Sequence, residues 1–163
     1  MTTEPAVNTE QAVPDEVTLP ALLRVARRTY GGAIRAAQAE VGCTDIPRNG
    51  AWVVGAISRT GAPLSTIIAQ LGVSKQAAGQ LVDTLVLRGY LDRAPDPSDR
   101  RRMTVTLTER GQLAADAGRT AVEAVDDELK KRVGPEAVAT CRAALSALID
   151  IGDEAQMESH AHE

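Results

Sequence analysis

Residues 64–108 constrain the fold more than any other stretch, because they order two short helices, a tight turn and a basic hairpin without interruption. Ser65 can cap a first helix, Leu64 can staple onto Ala69, and Ile67, Ile68, Ala69 and Leu71 supply its apolar positions. Gly72 can take the left-handed conformation that stops it. Val73 then tucks inward, and Ser74 caps a second helix with Ala78, Leu81, Val82, Leu85 and Val86 at helical spacing. That spacing turns Lys75, Gln76, Gly79, Gln80, Asp83 and Thr84 outward. Arg88-Gly89-Tyr90-Leu91 ends the helix on a glycine and starts a strand. Residues 94–99 are dense in turn formers, and residues 103–107 alternate as a return strand.

Helix, turn, helix and hairpin in this order describe a winged helix-turn-helix. The expected fold class is mainly α with a small β-hairpin wing, flanked by N- and C-terminal dimerisation helices. An α-helix fits the DNA major groove, and the first turn of the second helix is the part that meets base edges and phosphates. Lys75 can neutralise a phosphate or reach guanine. Gln76 and Gln80 can donate and accept together, as adenine readout requires, and the amides beneath Ser74 offer an anion site. Ser65 and Thr84 complete the helical part of the candidate DNA-facing set. Solvated polar positions on an amphipathic helix would read the same way, since bare helix-turn-helix patterns occur in unrelated helical proteins. The hairpin tip favours nucleic acid, because Arg100, Arg101 and Arg102 on an exposed ribbon can enter a minor groove whose narrow A·T tracts concentrate negative potential. Asp99 beside them can orient a guanidinium. A merely solubilising basic turn is the plain alternative.

The segment 96–102, running into Val105-Thr106-Leu107-Thr108-Glu109-Arg110-Gly111, resembles the wing signature of the MarR family (multiple antibiotic resistance regulators). In that signature an Asp-x-Arg element at the wing tip precedes a strand and a Leu-Thr that opens the next helix. Asp99 and Arg101 match the element. The resemblance implies that Arg101 is the minor-groove arginine with Asp99 as its orienting partner, and that Ser74, Lys75, Gln76 and Gln80 lie on the major-groove side. It also implies a triangular homodimer built from about residue 18 to 151, with a small-molecule pocket where the dimer helices meet the reading lobe. Two positions depart from the pattern. Gly79 sits in the middle of the reading helix, about 1 kcal/mol less favourable there than alanine, and Gln80 stands where relatives often carry a basic residue.

The 163 residues carry a formal charge of −4 and are 44% hydrophobic but only 2% aromatic, which suits helices packed by Leu, Val, Ile and Ala. Residues 61–107 hold six basic residues against four acidic ones, a net of +2, and the remainder carries −6. An acidic body with a basic reading edge limits non-specific attraction to phosphate chains. Cys43 and Cys141 lack metal-ligand spacing, so neither a disulfide framework nor a metal site is indicated, and the compartment reads as a reducing cytoplasm. His160 and His162 near the end read as incidental. No membrane-length apolar run or signal peptide is read. No phosphate loop, metal motif or nucleophile elbow appears, so the expectation is a protein with no cofactor that is not an enzyme.

Around the module at 61–107 the chain divides into a flexible arm at 1–17, an N-terminal helical block at 18–60, a C-terminal block at 108–151 and a flexible tail at 152–163. The first block opens with an amphipathic helix over 19–41 carrying Leu19, Leu22, Leu23, Ala26, Tyr30, Ile34, Ala37 and Val41. Its Gly31-Gly32 pair marks either a kink or a close approach of another helix. Pro47 suits the first turn of a second helix running to Gly61. In the last block Thr108 caps a helix over 109–132 with Leu113, Ala117, Ala121, Val125 and Leu129 on one stripe. Past Gly134-Pro135, a final helix over 136–151 presents Val138, Cys141, Leu145, Leu148 and Ile149. Neither block covers its stripes, so the first and last helices are expected to pack against their copies in a second subunit. Two modules roughly 34 Å apart would then read a pseudo-palindromic site in double-stranded DNA.

For an effector, Arg27 and Tyr30 with Arg48 and Trp52 offer a ring wall and guanidinium groups suited to an aromatic acid, although a core tryptophan with solvated arginines is the plainer reading. A thiol switch at Cys43 would need a lowered pKa and access. Cys43 does not match the oxidation-sensing relatives, whose reactive cysteine lies near the start of the first helix. The functional expectation is a DNA-binding repressor. The alternative is a winged module that binds protein, which repeated exposed arginines argue against.

Overall fold

The computed structural model describes residues 17–60, 68, 72–95 and 103–161. In chain order they form α1 (Leu19–Glu40), α2 (Gly50–Thr60), α3 (Lys75–Leu87), β1 (Leu91–Pro95), β2 (Met103–Leu107), α4 (Glu109–Val133) and α5 (Pro135–Ala161). The N-terminal arm, the first helix of the expected helix-turn-helix and the hairpin tip lie outside the described residues. The exception is Ile68, which is helical and packs against the core. The chain forms two compact units, and the boundary between them falls at Glu123 and Ala124.

In the first unit, α1 starts after Thr18 in extended backbone, with Pro20 in the opening turn where its missing N–H breaks no helical bond. The helix runs through Gly31-Gly32 without a break. A Cβ on Gly32 would meet nothing within 4 Å, so no other described element crosses there. The buried residue of α1 is polar: Gln38 is 2% exposed, and its Nε2 donates to the Ala114 carbonyl of α4 at 3.1 Å.

That approach depends on small residues. The buried positions of α4 are Gly111, Ala114, Ala115, Gly118 and Ala121. Ile34 Cγ2 and Gln38 Nε2 come within 3.4 and 3.6 Å of where a Gly118 Cβ would stand. The inward face is therefore offset from the expected stripe, of which only Ala121 is buried, while Leu113 is 48% exposed. A close helix crossing selects small side chains over leucine at the contact.

The second helix also starts later than expected. The Pro47 carbonyl accepts from Gly50 N at 2.8 Å in a turn that holds Asn49 at φ 67, a conformation asparagine tolerates, and α2 begins only after it. Val53, Val54 and Ala56 of α2 join Val82 and Leu85 of α3, Tyr90, Leu91, Ala114, Ala115 and Cys43 in the core. Cys43 is 4% exposed, so burial denies it the solvent access that a thiol sensor needs, against that expectation.

In the second unit, α5 continues through Ala161, past the expected end at Ile151. The penalty of Gly152 is offset by Glu, Ala, Gln and Met, all good helix formers, so the expected tail is helical as far as Ala161. Arg142 of α5 pairs with Asp126 of α4 at 2.5 Å. Val138 is buried, but Leu145, Leu148, Ile149 and Ile151 are 38 to 64% exposed. Among the described residues no helix is long and apolar enough to cross a membrane.

Candidate nucleic-acid interface

The reading helix is fixed at both ends and along one side. Ser74 lies in extended backbone, and its Oγ accepts the Ala77 N–H at 3.2 Å, satisfying a donor that the helix start leaves open. Ala78, Val82 and Leu85 are buried and Leu81 and Val86 half-buried, which sets the rotation of α3. Lys75, Gln76, Gly79, Gln80 and Asp83 are consequently exposed. The side chains of Lys75, Gln76 and Gln80 make no hydrogen bond or ion pair among the described residues.

Two of the outward residues are engaged within the chain. Thr84 is half-buried, and its Oγ1 donates to the Gln80 carbonyl at 2.7 Å, so its hydroxyl serves the helix itself. Asp83 accepts from Arg93 Nη2 at 2.5 Å. Arg93 stands in β1 opposite Val105, in an antiparallel register that also sets Leu91 against Leu107 and Pro95 against Met103. The ion pair therefore ties the wing to the flank of α3. Asp99, Arg100, Arg101, Arg102 and Ser65 lie outside the described residues.

At the far end of α3, Gly89 adopts φ 71, which lets Tyr90 N donate to the Leu85 carbonyl and Gly89 N to the Val86 carbonyl, each at 2.9 Å. This closure turns Tyr90 into the core, where it is fully buried. A buried tyrosine needs a partner for its hydroxyl. It donates to Asp45 Oδ1 at 2.6 Å, in the connector between α1 and α2. Arg110 Nη2 donates to the same carboxylate at 2.8 Å, and its guanidinium lies 4.4 Å from the centre of the Tyr90 ring. Arg110 Nη1 also reaches the Arg88 carbonyl at 2.6 Å, and Arg88 Nη1 donates to the Asp45 carbonyl. The Tyr90 hydroxyl, then Arg110, holds the Asp45 carboxyl below its ordinary value, whereas burial and the bond to Asp45 push the Tyr90 hydroxyl up.

Thr108 closes the junction. Its Oγ1 accepts from Gly111 N at 3.0 Å and donates to the Gly89 carbonyl at 2.5 Å. Its own N–H donates to the Tyr90 carbonyl at 3.2 Å. A Cβ on Gly111 would stand 2.0 Å from the Tyr90 carbonyl oxygen, so only glycine admits this approach. The ends of α3, β1 and α4 thus meet around one tyrosine and one aspartate. The sequence signal was faint, a tyrosine just past a helix-ending glycine.

The effector candidates fall into two places. Arg27 is exposed and Tyr30 half-buried one turn apart on α1; Arg48 is exposed and Trp52 is 39% exposed on either side of the turn into α2.

A sequence model of the MarR family matches residues 44–102. The HTH-type transcriptional regulator PetP of Rhodobacter capsulatus is 31% identical over 94 residues, which are 55% of this chain and 54% of that protein, so the match spans about half the length of that relative. Among solved structures, a mutant MarR from E. coli complexed with operator DNA has 23% identity over 80% of this chain and 92% of its own, with a TM-score of 0.62. The transcriptional regulator PA4135 has 25% identity over 83% and 98%, with a TM-score of 0.61. RV1404 from Mycobacterium tuberculosis has 24% identity over 86% and 99%, with a TM-score of 0.59. The resemblance to the MarR family is borne out as a similarity: the family's sequence model matches residues 44–102, and the described residues take the fold of the MarR structures.

Proposed function

We propose that this protein is a homodimeric DNA-binding transcriptional regulator, a repressor that occupies a pseudo-palindromic operator and releases it when a small aromatic acid binds. The observation that carries this reading is the division of α3. One side is locked into the core by Val82 and Leu85, while the other offers Lys75, Gln76 and Gln80 without partners among the described residues. A pre-oriented polar face on a rigid helix is what base readout in a major groove requires. The four wing residues Asp99 to Arg102 and Ser65 would add minor-groove and phosphate contacts. The structure of a MarR mutant with operator DNA supports the same use of the fold.

Dimerisation is supported by apolar surface that neither unit covers by itself. Leu19 and Val25 of α1 are 70 and 56% exposed, and Ile149 and Ile151 of α5 are 64 and 63% exposed. Joining two modules raises affinity through effective concentration. A repressor follows from occlusion of a promoter by such a dimer. For the effector, Trp52 and Tyr30 supply rings and Arg27 and Arg48 supply guanidinium groups for a carboxylate. An effector releases DNA only insofar as it prefers the spacing of modules that does not bind.

The test is fluorescence anisotropy on DNA from upstream of the gene against a shuffled control, across a salt series, for wild type and Arg101→Ala. Tight binding to the native fragment only, weakened by the substitution and falling log-linearly with salt, is the expected result. Equal, feeble binding to both fragments overturns the reading and turns the search to protein partners. Aromatic acids that leave Trp52 fluorescence and DNA affinity unchanged at millimolar concentration remove the effector part alone.

A further inference from the structure

Gly79 is a residue of α3 that nothing among the described residues requires to be glycine. It lies in the interior of a 13-residue helix, is exposed, and a Cβ built on it would meet nothing within 4 Å. Glycine is less favourable than alanine in such a place, because the unfolded backbone has more freedom to lose. Neither a close neighbour among the described residues nor a left-handed backbone calls for it here.

Its surroundings on the surface are specific. Lys75 and Gln76 lie one turn before it, and Gln80 follows it directly. Asp83 lies one turn after, its carboxylate drawn away by Arg93. Gly79 is thus a bare patch of helix framed by the side chains assigned above to base edges. A missing side chain lets the helix sit closer to the groove floor by about 1.5 Å, one carbon–carbon bond. Among the base edges of the major groove, the thymine C5-methyl is the apolar group, and it needs contact rather than a hydrogen-bond partner.

We propose that Gly79 is a specificity-determining residue: the gap it leaves in α3 seats a thymine methyl, next to adenines read by Gln76 or Gln80. The proposal rests on the DNA-binding reading above and adds to it a base preference set by an absent side chain.

The experiment pairs a change in the protein with the complementary change in the DNA. A duplex is first selected from a random-sequence library with the wild-type protein. Wild type and Gly79→Ala are then titrated on that duplex and on versions with single thymines replaced in each half-site by deoxyuridine, which removes only the methyl. Gly79→Ala should melt above wild type, since its Cβ enters open space, and should bind the selected duplex about tenfold more weakly. At one thymine per half-site, deoxyuridine should weaken wild type a few-fold and restore most of the binding that the variant lost. The proposal is overturned if Gly79→Ala binds the selected duplex as wild type does, or if no deoxyuridine position rescues it. A library from which wild type enriches no sequence removes the DNA-binding reading itself, and the proposal with it. That outcome is distinct because it appears before any variant is tested.

Discussion

The helices α3 and α5 are both amphipathic in sequence, yet only one of them is completed by its own unit. In α3 the inward positions Ala78, Val82 and Leu85 are buried, and Leu87 alone of its large apolar residues is strongly exposed, at 87%. In α5 Val138 is buried, whereas Leu145, Leu148, Ile149 and Ile151 face solvent. A helix saturated by its own core can present a polar face to a ligand. One left with bare leucine and isoleucine calls for another surface, which in the proposed homodimer a second copy of the chain would supply symmetrically.

The largest effect should come from breaking the saturated side. Leu85 is fully buried, so Leu85→Ala should destabilise the protein by about 2–5 kcal/mol in denaturant titration. A loss under about 1 kcal/mol would mean that α3 is not locked as described. The open side should respond differently. Leu148→Asp with Ile149→Asp should leave the helical circular-dichroism signal in place while sedimentation shifts to the mass of one chain, and DNA affinity should drop by roughly a hundredfold as the second module is lost. An unchanged sedimentation mass would remove α5 from the proposed dimer interface.

Smaller effects refine the junction that holds α3. Tyr90→Phe removes a buried hydroxyl's bond to Asp45 and should lower stability by about 1 kcal/mol, read by thermal denaturation. The pH profile gives a finer readout. The folded protein holds the Asp45 carboxyl below the ordinary 3.8, so its ionised form contributes stability that is fully present above that value and is lost as pH falls through the lowered one. The stability difference between wild type and Asp45→Asn should therefore be constant near neutrality and shrink below about pH 4. A difference that does not change with pH would show that the carboxylate is not what ties the junction.

The described part of the 61–107 module, α3 with β1 and β2, was legible in the sequence because its signals are local. Ser74 and Gly89 act on residues within a few positions, as does Thr108 in capping Gly111, and the period of Ala78, Val82 and Leu85 states which face is inward. The face of α4 was misjudged because leucines advertise burial more strongly than the glycines and alanines that a close crossing actually needs. Gln38 and Asp45 were invisible for another reason. Their partners Ala114 and Arg110 lie 76 and 65 positions away, and nothing in a polar residue's own neighbourhood says that a distant carbonyl or guanidinium will meet it. Among the candidate interface residues, the outward direction of Lys75, Gln76 and Gln80 was predictable from period alone; the Thr84 bond to the Gln80 carbonyl is local to the helix, while the diversion of Asp83 to Arg93 depended on the path of the wing.

The contact between Gly111 and the Tyr90 carbonyl also bears on the chain's history. Every single-nucleotide missense change at a glycine codon adds at least a Cβ, and at this position any Cβ collides with backbone at 2.0 Å rather than with a side chain that can swing away. Codon 111 should therefore be among the emptiest columns in a saturation library scored for folded protein. Codon 152, where a Cβ would find open space, should be filled freely, and the contrast would mark which glycines lineages can discard and which they inherit unchanged.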